Sequence, residues 1–244
     1  MTTFTPTNLL RDGAKMFRSK APPSTAYVSA NGISVVGGIW FTTDQGTIIK
    51  STAMTKLQNA VWAAGNNQGG MVGGAVKTAL QTNHLYAIYN PTTFAVDYVF
   101  STNATTPTLP DGFTEYRRIA SFRTAAASGD FLAYYQNGDK FMLASALTVY
   151  SATGARALSL LDVLAPTGID NLEVLLNGLT VAAAGVNGLM QFSPGNYNTQ
   201  TKNQIGSYAS ASVVTVNGWI SELTNNASKI YMLVNQASTQ ASLQ

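Results

Sequence analysis

The residues of this chain that could do chemistry are few, and their spacing matches no familiar catalytic or metal-binding pattern. His84 is the only histidine among 244 residues, and cysteine is absent. A metal site generally brings several His, Cys or carboxylate ligands together, and no such spacing surrounds His84. A G-x-S-x-G elbow, which marks the nucleophile of an α/β-hydrolase, is also missing. We therefore predict that His84 is structural, and the sequence gives no basis for assigning a metal or a cofactor.

Paired carboxylates are the remaining chemical possibility, because glycosidases use two acids that flank the bond they cleave. The acidic residues of the central stretch, 83–143, are Asp97, Asp111, Glu115, Asp130 and Asp139. Three of these stand beside glycines in predicted turns, where Asp is favoured because its side chain hydrogen-bonds the backbone. We predict that the chain is not an enzyme, and we keep glycan depolymerisation as the less favoured alternative.

A single local charge cluster surrounds Arg117 and Arg118. Side chains alternate along a strand, so Arg118 is expected to share a face with Phe122, and the opposite face would carry Glu115, Arg117 and Arg123. We interpret the cluster as cross-strand pairing with Asp97 or Asp130, with Arg118 bonded to backbone carbonyls at a sheet edge or a subunit contact. Ligand binding by these arginines is the second interpretation.

A glycine-rich segment, GNNQGGMVGG, covers residues 65–74. A phosphate-binding P-loop requires the pattern GxxxxGK[ST] between a strand and a helix, and no Gly-Lys pair exists here. We interpret the segment as a surface loop or a bulge. Residues 52–66, which overlap the start of this segment, are compatible with a helix.

The turn signals in the chain from Thr25 onward are typical of an all-β protein. Asn-Gly is the strongest short hairpin signal, because type I′ turns need a positive φ at both central residues. Such pairs begin at Asn31, Asn137, Asn177, Asn187 and Asn217. Further strands are predicted at 147–149, 158–161, 172–176, 189–192, 211–216 and 230–234. This spacing of short strands favours an antiparallel, jelly-roll-like β-sandwich over residues 25–244, after an extended N-terminal arm, 1–24.

Side-chain alternation in the central stretch predicts both core and contact residues. Four aromatic or aliphatic side chains fall on one face of a strand, and we assign them to the core: Phe94, Val96, Tyr98 and Phe100. The strand before it, 85–89, is apolar on both faces, which places it either at the centre of a sandwich or between subunits. The residues that we predict to form subunit contacts in a homo-oligomer are Tyr86, Ile88, Arg117 and Arg118.

Charge is scarce and unevenly placed. Charged residues make up 10% of the chain, against roughly 25% in ordinary soluble domains, which suits a subunit covered by its neighbours. The net charge of +3 is carried by residues 1–20. The neutral remainder lacks the basic surface with which proteins wrap nucleic acid. We recognise no secretory signal and no apolar run of the roughly 20 residues that span a bilayer, so membrane insertion is not expected.

Six short motifs follow one another between residues 86 and 141. They are a Tyr-rich strand at 86–89, Asn-Pro-Thr-Thr at 90–93, an Asp-containing strand at 96–102, Pro-x-Leu-Pro-x-Gly-Phe-Thr at 107–114, Arg-Arg-Ile at 117–119 and Gln-x-Gly-Asp at 136–139. The series resembles a family of tailed-bacteriophage virion proteins described as tail fibre or hypothetical structural proteins. Residues 165–169 and 230–243 are similar more weakly, and the closing Gly-Trp-Ile-Asp strand of that family is absent.

The resemblance implies a β-sandwich that assembles, as a trimer, at the surface of a phage particle after synthesis in the host cytoplasm. The expected role is in a tail fibre or receptor-binding assembly for host attachment, with capsid decoration as a head fibre or cement protein as the alternative. Expected partners are other virion proteins and a host receptor or glycan. No catalytic residue is transferred by the resemblance. The arm residues expected to anchor the chain to the virion are Arg11, Lys15, Phe17 and Arg18.

Overall fold

The computed structural model describes residues 22–74, 77–137, 140–145 and 166–167, together with the C-terminal strands given below. Every regular element in these residues is a β-strand, so the all-β prediction is confirmed. Within the same residues there is no helix long and apolar enough to cross a membrane. Contacts divide the chain into two compact units, Met1–Ser145 and Ala146–Gln244. The single domain predicted over residues 25–244 includes parts of both units and stays a prediction.

In its described residues, the first unit is built on a seven-stranded sheet and two hairpins. Its strands are β1 (Thr25–Ser29), β2 (Gly32–Val35), β3 (Trp40–Thr42), β4 (Ile48–Lys50), β5 (Met54–Val61), β6 (Gln68–Met71), β7 (Thr82–Asn90), β8 (Ala95–Ser101), β9 (Glu115–Arg123), β10 (Tyr134–Asn137) and β11 (Lys140–Leu143). The sheet order is β1-β2-β5-β6-β8-β7-β9, and β3–β4 and β10–β11 form separate two-stranded sheets. The sheet is mixed, because β6 is parallel to both β5 and β8, so the prediction of purely antiparallel pairing is wrong for this sheet.

One apolar cluster, which we call the inner cluster, fills the concave side of this sheet. Ile33 of β2 and Phe122 of β9 both belong to it, although four strands separate β2 from β9. A flat sheet would hold those two strands about 24 Å apart, so the sheet curls into a half-barrel. The hairpins close the open side, since Phe41, Ile49 and Tyr134 pack into the same cluster.

Strand β7 lies between β8 and β9 and is the most enclosed strand of the sheet, with every residue but the last buried. The predicted core face of β8 is confirmed at Tyr98 and Phe100, which have no exposed area, and Val96 packs against them half-buried. Phe94 was assigned to the same face, and this was wrong. It is 76% exposed with a φ of 58°, because it ends the 91–94 turn and the strand begins one residue later.

The predicted helix at 52–66 is wrong, because most of this segment is strand β5. Ala, Leu, Met, Lys and Gln favour helices on their own, and these residue types dominate the segment. β5 instead pairs with β2 through Leu57 opposite Gly32, and with β6 through Leu57 beside Gly69. Burial alternates only from Thr55 to Asn59, with Lys56 and Gln58 fully buried, and the last residues of the strand are exposed. Tertiary pairing thus overrides the intrinsic preference of the segment.

The glycine-rich segment is also not a surface loop throughout, because its centre forms strand β6. Gly69, Gly70 and Met71 are buried. A Cβ atom on Gly69 would collide with the carbonyl oxygen of Val61, and one on Gly70 would lie 2.8 Å from the ring of Phe100. These glycines permit close approach of neighbouring chain segments.

The described residues of the second unit form two four-stranded antiparallel sheets. Its strands are β12 (Tyr150–Ala152), β13 (Arg156–Asp162), β14 (Val174–Ala182), β15 (Gly188–Pro194), β16 (Asn203–Ser207), β17 (Val213–Ile220), β18 (Lys229–Asn235) and β19 (Ser238–Leu243). The sheet orders are β12-β19-β14-β17 and β13-β18-β15-β16. The strands predicted at 158–161, 189–192 and 230–234 coincide with β13, β15 and β18. Those predicted at 172–176 and 211–216 overlap β14 and β17 only in part, and β12 and β16 were not predicted. The predicted strand at 147–149 lies outside the described residues.

Two of the Asn-Gly pairs mark hairpins as predicted. In β1–β2 the turn residues are Ala30 and Asn31, and neither Asn31 nor Gly32 has a positive φ, so the hairpin is confirmed but the type I′ turn is wrong. In β10–β11, Asn137 pairs with Lys140 and so closes a hairpin.

Two other Asn-Gly pairs were wrongly assigned to turns. Asn177 and Asn217 lie directly opposite each other inside the continuous pairing of β14 with β17. Mostly apolar residues flank each pair, and both strands run on through it without a turn. An Asn-Gly pair permits a tight turn but does not require one. Asn187 lies outside the described residues.

Candidate functional site

The most unusual group of polar residues in the first unit is a buried ion pair between β5 and β8. The Lys56 Nζ lies 3.0 Å from the Asp97 Oδ1, and the two side chains are 0% and 5% exposed. Lys56 also donates to the carbonyl oxygens of Ala63 (2.6 Å) and Gly65 (3.2 Å). Its three donors are therefore all used, as a buried ammonium requires.

The carboxylate of Asp97 is also held by hydrogen bonds besides the ion pair. Its Oδ2 accepts the backbone N–H of Gly65 at 2.8 Å, and its Oδ1 accepts that of Tyr98 at 2.6 Å. Burial lowers the pKa of Lys56, and the charge of Asp97 opposes this change. Since the amine has no exposed area, the pair cannot meet a substrate, and its effect is to fix the connection between β5 and β6.

That connection is short for its topology. Parallel neighbours are usually joined by a dozen or more residues, yet only residues 62–67 separate β5 from β6. Backbone hydrogen bonds fix both ends of the connection to the neighbouring strands. Trp62 N–H donates to Met71 O (2.7 Å), and Asn67 N–H donates to Thr55 O (2.9 Å). The Trp62 ring lies 5.5 Å from the Lys56 Nζ in a cation–π contact. The ion pair is thus the internal support of a tight crossover.

The crossover covers a second apolar cluster on the convex side of the sheet, which we call the outer cluster. Its buried members are Val72, Tyr86, Ile88 and Val99, and the side chains that pack over them are Trp62, Leu109, Phe113 and Tyr116. Trp62 and Phe113 meet edge to face, with ring centroids 5.7 Å apart. The outer cluster is therefore covered by connecting segments, in contrast to the strands and hairpins that close the inner cluster.

The turn at 107–114, the longest motif of the phage resemblance, supplies two of these covering side chains. Phe113 N–H donates to Pro110 O (3.1 Å), and Thr114 N–H donates to Tyr89 O (3.2 Å), so the turn is bonded to the end of β7. Gly112 has a φ of 81°, a conformation that glycine adopts at no steric cost. The motif thus has a packing role in this fold.

A shallow apolar groove of about 190 Å³ lies between the crossover and this turn. Its lining residues are Val61, Trp62, Met71, Val72, Gly73, Thr108, Leu109 and Pro110. The indole N–H of Trp62 is buried without a hydrogen-bond partner. The groove offers no charged side chain among these residues, so it is suited to an apolar group and not to acid–base chemistry.

His84 has the geometry of a structural residue. It is 2% exposed, and its Nδ1 lies 2.8 Å from the Ser121 Oγ on the neighbouring strand. Burial, and secondarily the charge of Arg118, lowers its pKa to about 4. His84 is therefore neutral at neutral pH. No group of three or more potential metal ligands occurs among the described residues.

Three of the five acids of the central stretch are engaged by the protein itself. Asp97 pairs with Lys56, and Asp130 pairs with Lys77. Glu115 accepts hydroxyl bonds from Thr43 (2.7 Å) and Thr47 (2.9 Å) of the β3–β4 turn. Asp111 is exposed in its turn, and Asp139 lies outside the described residues.

The arginine cluster bonds backbone carbonyls. Arg118 donates to Ala104 O at 2.7 Å, as predicted for a structural arginine, and Arg117 donates to Thr42 O at 3.0 Å. The predicted partners, Asp97 and Asp130, pair with lysines instead.

A bulge in β9 changes which side chains share a face with Arg118. Leu85 pairs with Ala120 but Tyr86 pairs with Arg118, which leaves Ile119 as the extra residue. Phe122 consequently belongs to the inner cluster, while Tyr116 belongs to the outer one. The prediction that Phe122 and Arg118 lie on one face was wrong, because alternation along a strand does not reveal a bulge.

The predicted contact residues fall into two classes. Tyr86 and Ile88 have no exposed area in the single chain, so they offer no surface to a second copy. For these two, burial at the centre of one chain replaces the predicted contact. Arg117 and Arg118 are half-buried, and their role in a subunit contact stays a prediction. The predicted anchoring residues, Arg11, Lys15, Phe17 and Arg18, lie outside the described residues.

Burial of Lys56 was not predicted, because a lysine in a helix-like segment gives no sign of burial. Comparison of the chain with protein-family models, with curated proteins and with solved structures found no match.

Proposed function

We propose that this chain is a non-enzymatic structural protein of a bacteriophage virion, in a tail fibre or receptor-binding assembly. The observation that carries the proposal is the run of six phage-like motifs between residues 86 and 141. Five of them lie on β7, β8, β9 and the two turns that join these strands. The motifs therefore occupy the centre of the first unit, where they specify its packing.

The distribution of polar groups supports a structural role. Charged side chains of the sheet bond to groups within the chain. Lys56 forms an ion pair with Asp97, Glu115 accepts hydrogen bonds from two threonines, and Arg118 donates to a backbone carbonyl. Only 10% of the residues are charged. We propose that part of the surface is covered by other copies, in a trimer whose subunits are β-sandwiches. Large apolar side chains exposed on the single chain include Val61, Tyr135 and Met142.

Light scattering on the purified full chain tests the assembly. The expected mass is three times that of the 25.8 kDa chain. A stable monomer at micromolar concentration would contradict the trimer and leave the virion assignment to be decided by microscopy.

Immunogold electron microscopy of particles of the encoding phage tests the location. Antibodies against the purified chain should label the tail if the chain belongs to a fibre or receptor-binding assembly. Label over the capsid would support the alternative, a decoration or cement protein. Purified particles that carry no label and no peptide of this chain by mass spectrometry would overturn both.

Glycan depolymerisation is the enzymatic alternative, favoured only by the acids of the central stretch. Release of reducing ends from host polysaccharide by the purified chain would support it. If release occurs, Asp111→Asn tests the exposed acid, and Asp130→Asn tests the acid paired with Lys77.

A further inference from the structure

A Lys–Asn–Asp cluster lies where three segments of the first unit meet. Lys77 Nζ donates to Asn31 Oδ1 at 2.9 Å and also bonds Asp130 Oδ1. Asn31 belongs to the β1–β2 turn, Lys77 precedes β7, and Asp130 lies in the segment between β9 and β10. The three side chains bring an amine, a carboxamide and a carboxylate together.

We infer that Lys77 and Asn31 form an intramolecular amide bond, with Asp130 as the proton carrier. The three groups have the roles that this reaction needs. A neutral amine is a nucleophile, the carbon of a carboxamide is its electrophile, and a neighbouring carboxylate takes up and returns a proton. The ammonium of Lys77 lies against the oxygen of the Asn31 amide, which polarises that carbonyl.

The step balances without an oxidant or another reactant. The ammonium of Lys77 transfers a proton to Asp130, and the neutral Nζ attacks Cγ of Asn31. The bond from Cγ to the amide nitrogen then breaks. That nitrogen leaves with a second hydrogen from Nζ and the proton that Asp130 returns, as ammonium. The protein loses one ammonia and one positive charge, and Asp130 ends as a carboxylate.

The backbone around the cluster holds the reacting groups in place. Asn31 O accepts Gln58 N–H at 2.8 Å, and Phe131 N–H donates to Ala30 O at 2.8 Å, which fixes the Asp130 segment beside the turn. Thr124 Oγ1 donates to Thr78 O at 2.7 Å, directly after Lys77. Such anchoring keeps reactive groups close without an entropic cost at the moment of reaction.

The environment allows the reaction but makes it slow. Hydrogen bonds, first from Lys77 and then from Ser128, lower the pKa of Asp130. The resting state is therefore the ion pair, and the proton-shifted form that reacts is a minor one. The side chains of Lys77 and Asp130 are 24% and 34% exposed, so ammonia has a path to solvent. The product would clamp the β1–β2 turn to the start of β7 in a chain that has no cysteine for a disulfide.

Intact-mass and peptide spectrometry of the full chain tests the bond. Wild-type protein held for days at neutral pH should be lighter than its sequence by one ammonia, and a tryptic digest should contain Asn31 and Lys77 in one branched peptide. Lys77→Arg and Asn31→Ala should keep the full mass, and Asp130→Asn should react more slowly. Lys50→Arg, at a lysine that stacks on Trp40, is the control and should lose ammonia as the wild type does.

A succinimide at Asn31-Gly32 also loses ammonia, and it gives different results. The succinimide would also form in Lys77→Arg, and in the wild type it would leave the bond after Lys77 open to cleavage by trypsin. Either result overturns the inference. Full mass and no branched peptide in the wild type overturn it as well. Because Lys77→Arg cannot form the bond, its melting temperature should fall below that of the cross-linked chain by about 10 °C, as expected for loss of a cross-link that closes a long loop.

Discussion

The two sides of strand β7 are both apolar, but the chain covers them in different ways. Leu85, Ala87 and Tyr89 face the inner cluster, which is closed by neighbouring strands and two hairpins. Tyr86 and Ile88 face the outer cluster, which is covered by the crossover at 62–67 and the turn at 107–114. Regular strands enclose the first side, and irregular segments enclose the second.

The difference has an energetic consequence. Strands bring their own backbone partners, so a covering strand is held by its ladder as well as by its side chains. A covering loop must be fixed by special contacts, and here these are the Lys56–Asp97 pair, the Trp62–Phe113 contact and the bond from Thr114 to Tyr89. The packing of the covering segments on the outer cluster therefore depends on few residues, and substitution of any one of them should loosen it.

Loss of the buried carboxylate should have the largest effect. Asp97→Ala leaves the ammonium of Lys56 buried without its counter-ion, and removal of one partner from a buried pair costs about 3–5 kcal/mol. Urea unfolding followed by circular dichroism would measure the loss. Asp111→Ala, at an exposed acid, is the matched control and should change stability by less than about 0.5 kcal/mol. Equal effects of the two variants would mean that the pair does not support the crossover.

Truncation of one leucine on each side compares the two covers directly. Leu85→Ala empties a fully buried site in the inner cluster, and such cavities cost about 3 kcal/mol. Leu109→Ala removes a half-buried side chain of the outer cover, and about 1 kcal/mol is expected. The same measurement applies to both variants. A larger loss at Leu109 would reverse the order of the two sides.

The sequence predicted the regular side better than the irregular one, for a physical reason. Alternation identified Tyr98 and Phe100 as core residues because strand geometry repeats every second residue. It did not identify Lys56 or the bulge at Ile119, because burial of a cation and a shift of register both depend on segments distant in sequence. Local preference also misassigned β5, whose partners lie elsewhere in the chain.

Acid should weaken the sheet at His84, which is buried in β7 and contacts Ser121 of β9. The folded pKa is about 4 and the unfolded one about 6.5, so the unfolded chain binds more protons between these values. Stability should fall as pH decreases from about 6.5 to 4, by about 2–3 kcal/mol, and should be independent of this group above 6.5. Urea titrations at several pH values measure the slope. His84→Gln should flatten it, and an unchanged slope in that variant would assign the effect to other groups.

The smallest expected effect is that of the hydroxyl of Tyr86. Its OH donates to Asn103 O at 2.9 Å and so ties the start of the 102–114 segment to β7. Tyr86→Phe keeps the ring in the outer cluster and removes only this bond, for which about 1 kcal/mol is expected. Tyr135→Phe, at a tyrosine that is 65% exposed, should leave stability unchanged. Hydrogen exchange gives the sharper test, because loss of the bond should speed exchange at Phe113 and Thr114 but not in β2. Faster exchange throughout the sheet would show that the cover and the sheet open as one unit.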